Sequence, residues 1–426
     1  MFCRFFIIAI MMLNLIFCQT FFNKIVGGQL GHISARSQSM GQTHFMTANN
    51  SALILRNPAR LSQFKPGFYF DCSFMGDIAL ERRSIDLKDY FGDFLTEGDY
   101  VSNSNSNLYN NFGAIINSRL FFLNFSAGLS HGPLSSLDYS YEEEVRGSES
   151  FEGGIIGIRD PIEGYHVLEH SGDINLSSLG FALGLNEFFS AGISLNYIHD
   201  DSYSYRLDVI KIADSVQNLA IETSQNGKVN FNGDLFPSIS IGLKTGKTDF
   251  SLGYESSANI RSDNASEVTF DSAIGLPIYL NSDLEYVDSF INIEKPEKYK
   301  LGFNYKNGYK QYTLLSIEMI QKKYSTKNFE DSKNFNLGLE YVSYKNIVRM
   351  GLSYEQPTFK VLAPVTSFTL GTSTALDNIT FDFGFKYSYQ KYKYGDLFPV
   401  SGDVRPDYDN IHNSNWSIIS TILYKL

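Results

Sequence analysis

Ile379-Thr380-Phe381-Asp382-Phe383-Gly384-Phe385-Lys386-Tyr387-Ser388-Tyr389 alternates without a break. Ile379, Phe381, Phe383, Phe385, Tyr387 and Tyr389 make one face; Thr380, Asp382, Gly384, Lys386 and Ser388 make the other. Side chains on a strand point alternately to its two sides, so this is a strand with one oily face and one polar face. A soluble sandwich would turn the oily face into its core. A transmembrane barrel would turn it to lipid and line its lumen with the polar set.

The neighbouring sequence favours the barrel. Strand pairs recur around tight turns: 181–185 into 191–197, 237–243 through Thr245-Gly246-Lys247 into 250–254, and 299–305 through Asn307-Gly308 into 312–320. Two more run from 335–341 past Lys345-Asn346 into 348–354, and from 368–372 past Asp377-Asn378 into the quoted strand. Asn-Gly is a strong hairpin signal. Long polar stretches at 200–234, 262–297 and 393–413 separate these pairs. Short turns on one side and long connections on the other are the two ends of an outer-membrane barrel. With 68–75, two strands in 115–129, and 137–144, the count reaches about 14, and the ambiguous 80–111 leaves 12 to 16 open. The fold class read here is all-β: a transmembrane antiparallel β-barrel.

Composition agrees. The chain has 27 Tyr, 35 Phe and 34 Gly against one Trp and 11 Pro, which suits strands, interfacial aromatic girdles and tight turns. Arg4 precedes an apolar stretch, Phe5 to Cys18, broken only by Asn14. That stretch is too short to span a bilayer and reads as a secretory signal over residues 1–20. No later run of about 18 apolar residues reads as a membrane helix. The layout is therefore signal 1–20, an N-terminal segment 21–66, and a barrel 67–426 in the bacterial outer membrane. Cys3 and Cys18 would leave with the signal, so Cys72 stands alone and forms no internal disulfide. A formal net charge of −11 argues against a nucleic-acid partner.

An apolar-Gly-apolar-x-Tyr pattern recurs at 301–305, 337–341, 350–354 and 383–387. The alternation places each Gly on the lumen face and each Tyr on the lipid face, where a girdle suits it. The last strand, 416–426, carries Trp416, Ile418, Ile422, Tyr424 and Leu426 on one face and ends apolar, as bacterial outer-membrane proteins do.

Chemistry is sparse. The seven His show no ligand or triad spacing. His166 and His170, four apart and flanked by Glu163 and Glu169, could hold a metal if helical, and Gly164 with the surrounding loop composition argues otherwise. Asp403, Asp407 and Asp409 could meet Ca²⁺, but solvated charge explains them. No wall Ser pairs visibly with a His. We read no catalytic residues, no metal and no cofactor, and expect no enzyme.

Two stretches carry a resemblance: Ala35-Arg36-Ser37-Gln38-Ser39-Met40-Gly41-Gln42, then Asn49-Asn50-Ser51-Ala52-Leu53-Ile54-Leu55-Arg56-Asn57-Pro58-Ala59-Arg60-Leu61. They resemble the start of the FadL long-chain fatty-acid transporter superfamily, which includes PorV-like proteins of type IX secretion. Arg60 stands where that family usually has Gly. The resemblance implies a 14-stranded barrel with the N-terminal segment folded inside as a hatch. Asn57, Pro58, Ala59 and Arg60 would lie in the hatch or at its junction with the first strand. It further implies an apolar ligand that lands among outer loops, reaches a pocket near the hatch and leaves sideways through the wall.

From the residues alone, Val209, Ile212, Val216 and Leu219 recur at helical spacing and would give an amphipathic helix whose oily face forms a ligand groove or packs on the rim. The alternation Leu207-Val209-Lys211 also allows a strand. Tyr312, Leu314, Ser316 and Glu318 would face a lumen that is lined or plugged rather than open. The partners read are outer-membrane lipid and a hydrophobic small molecule. The function read is passive transport of hydrophobic small molecules such as long-chain fatty acids. The alternatives are a PorV-like barrel that binds or shuttles a secreted protein, and a simple porin.

Overall fold

The computed structural model describes residues 28–146, 162–185, 188–211, 224–262, 270–271, 276–277, 293–325, 329–344, 346–395, 397 and 408–426. Fourteen antiparallel strands close on themselves. In chain order they are β1 (Gly67–Lys88), β2 (Phe94–Leu120), β3 (Leu123–Ser136), β4 (Asp173–Leu185), β5 (Phe189–Ile198), β6 (Leu235–Thr245) and β7 (Thr248–Glu255). There follow β8 (Glu297–Gly308), β9 (Tyr312–Lys323), β10 (Ser332–Val342), β11 (Ile347–Glu355), β12 (Val365–Leu376), β13 (Ile379–Tyr394) and β14 (Asp409–Lys425). Each pairs with the next, and β14 closes the ring on β1 from Tyr69↔Lys425 to Ser84↔Asn410.

The alternation read from the sequence is the alternation of the wall. On β6, Ile239 and Ile241 point outward while Ser238 and Ser240 are buried inside. Phe112, Phe181, Leu195, Leu252 and Leu301 are each half-exposed or more on the outer surface. A soluble protein does not clothe itself in such a belt; hydrocarbon is the solvent that makes it favourable. The chain is thus an outer-membrane barrel, its fourteen strands matching the expected count.

The tight turns fall at one end. Asp377, at φ 49°, turns β12 into β13, and Gly246, at φ 56°, turns β6 into β7. The turn expected at Asn307-Gly308 lies one step later: Gly308 still pairs with Tyr312, and Tyr309 to Gln311 make the bend.

At the other end three sequence expectations change. The ambiguous 80–111 is a long hairpin, since β1 has 22 residues and β2 has 27, more than the roughly 9–11 that cross a membrane. The stretch 137–144, counted with the wall, contributes Tyr139–Arg146 to a separate six-stranded sheet. The stretches 200–234 and 262–297, read as loops, also supply strands to that sheet. Its order is Ile293–Lys295, Ala258–Ser262, Ser224–Asn232, Asp201–Lys211, Ile162–Ser171 and Tyr139–Arg146. Tyr139, Tyr141, Leu168, Tyr203, Leu207, Val229 and Phe231 of this sheet pack on Ile174, Leu176, Ile198, Phe236 and Ile411 of the wall. One shared apolar core therefore ties the sheet to the wall's outer end.

Val209 lies in the strand Asp201–Lys211, opposite His166, and not in a helix. Alternation won over the three-and-four spacing because Tyr203 and Leu207 are buried while Ser204 and Arg206 are exposed. Ile212, Val216 and Leu219 lie outside the described residues, as do the signal 1–20, Asp403 and Asp407.

Candidate functional site

Residues 30–63 run along the inside of the wall as three short helices, α1 (Ala35–Ser39), α2 (His44–Thr47) and α3 (Leu53–Arg56), and a 3₁₀ turn at Pro58–Gln63. Gly41 and Gln42 both have positive φ, which ends α1 and folds the chain back. Pro58 opens the 3₁₀ turn, where its missing N–H costs nothing. This inner segment touches all fourteen strands from within. Examples around the ring are Ser51 N–H to Asp71 on β1, Asn117 to Leu61 O on β2, Ser126 to Leu61 O on β3 and Ala59 N–H to Ser240 on β6. They continue with Phe45 N–H to Glu318 on β9, Gly41 N–H to Thr369 on β12 and Ala35 N–H to Thr421 on β14.

The lumen-side glycines of the Tyr pattern make this possible. A Cβ on Gly351 would lie 2.1 Å from the Gly41 backbone nitrogen, and one on Gly302 would lie 2.3 Å from the Met46 side chain. Charge then locks the segment. Arg36 clasps Glu340 at 2.7 and 3.0 Å, and Arg349 joins Glu340 to Asp382 at 2.7 Å each. Of the residues singled out by motif, Asn57 donates to Phe45 O, Ala59 donates to Ser240, and Arg60 pairs with Asp249 at 2.5 Å. Arg60 thus anchors the 3₁₀ turn to β7.

Between the segment and the wall lies a cavity of about 270 Å³. Leu30, Ile33, Phe45, Leu55, Met75 and Ile320 give it apolar surface. Six cationic side chains, Arg56, Lys295, Lys298, Lys300, Lys322 and Lys386, face four carboxylates, Asp77, Glu255, Glu318 and Glu355, so positive charge is in excess. Three of the lysines converge on one carboxylate: Lys300 at 2.6 Å, Lys295 at 2.8 Å and Lys298 at 3.5 Å from Glu255. Lys322 holds Glu355 at 2.5 Å. A burial this cationic is costly without a compensating anion, since one carboxylate offsets one ammonium. The motif residues 57–60 lie just beyond this cavity; its nearest contributors on the segment are Leu55 and Arg56.

The sequence reading missed this cluster. Its signal was the inward pair Lys298 and Lys300, two apart on β8, but only the register Glu255↔Lys298 brings the carboxylate to them.

One edge of the cavity reaches a break in the wall. β2 and β3 pair from Leu120↔Leu123 only up to Phe112↔His131. Beyond that rung β2 continues on β1, while β3 pairs on its vacated side with the inner segment, Gln29↔Ser135 and Gly28↔Ser136. The N–H groups of Leu30 and Gly31 both donate to Leu134 O, at 3.0 and 2.9 Å. Pro133, with no N–H to give, coincides with the register shift between β3 and β4. Leu30, Gly31, Leu134 and Ser135 also line the cavity. Beyond Phe112↔His131 the seam between β2 and β3 is closed by the first residues of the segment and, past the end of β3, by side-chain bonds from Asn107 to Asp138 and from Asn105 to Ser140 O, not by backbone pairing of the two strands.

His166 and His170 lie on the strand Ile162–Ser171, His166 bonded to Glu143 at 2.7 Å and His170 stacked on Tyr203. Among the described residues no group of three His, Cys, Asp or Glu is placed to hold a metal ion.

No protein-family model and no curated protein sequence matches the chain. Solved structures do. A Pseudomonas aeruginosa FadL homologue superposes with a TM-score of 0.58 at 11% identity, over 93% of this chain and 99% of that one. The P. putida toluene transporter TodX superposes with a TM-score of 0.52 at 13% identity, also over 93% of this chain and 99% of that one. The chain has the fold of the FadL-like outer-membrane barrels.

Proposed function

We propose that this barrel is a passive outer-membrane transporter for hydrophobic small molecules, and that its ligands carry an acidic group, as long-chain fatty acids do. The observation that carries the reading is the cavity, half apolar and lined by cations in excess of carboxylates. An acyl chain would lie against Leu30, Phe45 and Met75, and its carboxylate would complete the charge balance around Lys298 and Lys300. The inner segment would act as a hatch, and the seam closed by Gly28–Gly31 as a lateral exit. Its first hydrogen bonds to β3 are few, so opening there disturbs no barrel strand pair. The likeness to a FadL homologue and to a toluene transporter supports a hydrophobic cargo. An open aqueous pore is poorly supported, since the inner segment meets every strand from inside.

The test is equilibrium binding of a fluorescent long-chain fatty acid and of its methyl ester to the detergent-folded barrel, with a Lys298→Gln/Lys300→Gln variant alongside. The acid should lose about tenfold or more in affinity in the variant, the ester little, because loss of charge-assisted hydrogen bonds costs on the order of 1.5–3 kcal/mol each. Equal loss for both, or none for the acid, would remove the acidic-ligand reading.

A further inference from the structure

On the lipid-facing side of the wall, at the foot of the seam, stands a polar array that the transport reading does not use. His131 is the last β3 residue paired with β2, and Ser177 on β4 is its direct partner across the strands. Ser177 Oγ lies 2.9 Å from His131 Nδ1 and 2.8 Å from His199 Nε2, where His199 follows β5. The two imidazoles are 5.4 Å apart, centroid to centroid, with Phe112 of β2 against one and Tyr197 against the other. The surrounding outer surface is apolar: Phe70, Leu129, Leu179 and Leu195. Asp201 is the carboxylate near the array, and it accepts from Asn175 N–H and Nδ2 at 2.8 and 3.1 Å. Of the other acids in this sector, Asp200, next to His199 in the chain, accepts the Gly233 N–H, Asp138 accepts from Gly172 N–H, Asp173 is the first residue of β4, and Asp71 faces the lumen bonded to Ser51.

A hydroxyl has one proton. Ser177 can donate to one imidazole while it accepts an N–H from the other, and in that arrangement a proton moved along the line reverses both bonds. The array stands where an acid leaving through the seam would first meet hydrocarbon, in which an ionised carboxylate is far less stable than a neutral acid.

We propose that His131, Ser177 and His199 form a proton relay that neutralises the ligand's carboxylate as it passes the seam. This rests on the transport reading above. One imidazolium N–H gives its proton to the carboxylate oxygen, forming the O–H bond and leaving a neutral imidazole. That imidazole is recharged through Ser177 from its partner, which takes its proton from hydronium at the membrane interface. No oxidant or further reactant is needed. The three groups are positioning and proton-passing residues at the exit; the ligand's binding cavity lies on the other side of the wall.

The experiment follows transfer of a fluorescent long-chain acid, and of its methyl ester, from buffer into liposomes holding the full barrel, between pH 5.5 and 8.5. Wild type is compared with Ser177→Ala, His131→Gln and the conservative Ser177→Thr, each shown to be folded by its heat-modifiable migration. The expected result is acid transfer slowed about tenfold or more above pH 7 in Ser177→Ala and His131→Gln, and restored in Ser177→Thr, with ester transfer unchanged. If the variants move the acid as fast as wild type, or slow acid and ester alike, the relay is wrong and the transporter reading stands. If wild type moves neither compound faster than empty liposomes, the transporter reading fails and takes the relay with it.

Discussion

The β9–β13 sector and the β2–β3 edge beyond Phe112↔His131 meet the same inner segment differently. From β9 to β13 the strands pair rung for rung, and the segment presses on them backbone to backbone, with Gly351 under Gly41 and Arg349 between Glu340 and Asp382. Between β2 and β3 the pairing stops, and the segment itself supplies the missing edge through Gly28–Gly31. Lower in the β2–β4 sector the segment is held as closely as elsewhere, by Leu61 O on Asn117 and Ser126 and by Ile54 under Gly128 and Gly180. Only its first residues take the place of a wall strand, so the proposed exit asks for release of that end alone.

The largest stability effect should come from the anchor. Arg349→Ala leaves Glu340 with Arg36 and Asp382 with Asn49, yet removes the buried cation between two carboxylates. Losing one partner of a buried pair costs about 3–5 kcal/mol, so the urea midpoint of the detergent-folded barrel should fall accordingly. A loss under about 1 kcal/mol would mean that the β9–β13 sector is no anchor. A smaller effect is expected from Gly351→Val, whose new carbons would meet the Gly41 backbone. Overpacking of this kind costs about 1–3 kcal/mol and should also loosen the segment to added protease while the wall stays folded. If the segment stays as protected as in wild type, the backbone-to-backbone contact is not what holds it.

How much was legible follows the same divide. Where lipid lies on one face and packed segment on the other, each strand must alternate, so 379–389 and its neighbours announced themselves, and the small residue at each lumen contact showed as the Gly of the Tyr pattern. The six-stranded outer sheet was hidden for the opposite reason. Its strands are polar on the exposed side, and Val209, Ile212, Val216 and Leu219 offered a helical spacing that four residues can produce by coincidence. Glu255, Lys298 and Lys300 each looked like an ordinary strand polar residue; only the register joins them. The array of His131, Ser177 and His199 was equally silent, because its members lie 46 and 22 residues apart in sequence. Of the N-terminal motif, Arg60 pairs with Asp249, and the cavity lining on the segment runs from Leu30 to Arg56, short of residues 57–60.

The central claim is that ligand leaves through the seam, and a reversible crosslink tests it most directly. Gln29→Cys with Ser135→Cys, in a Cys72→Ser background, places two thiols on facing residues of the closing strand pair. Oxidised, this barrel should still bind the fluorescent acid but transfer it into liposomes no faster than empty vesicles do, and reduction should restore transfer. Transfer at the full rate with the crosslink intact would contradict the account, for the ligand would then be passing somewhere other than between β2 and β3.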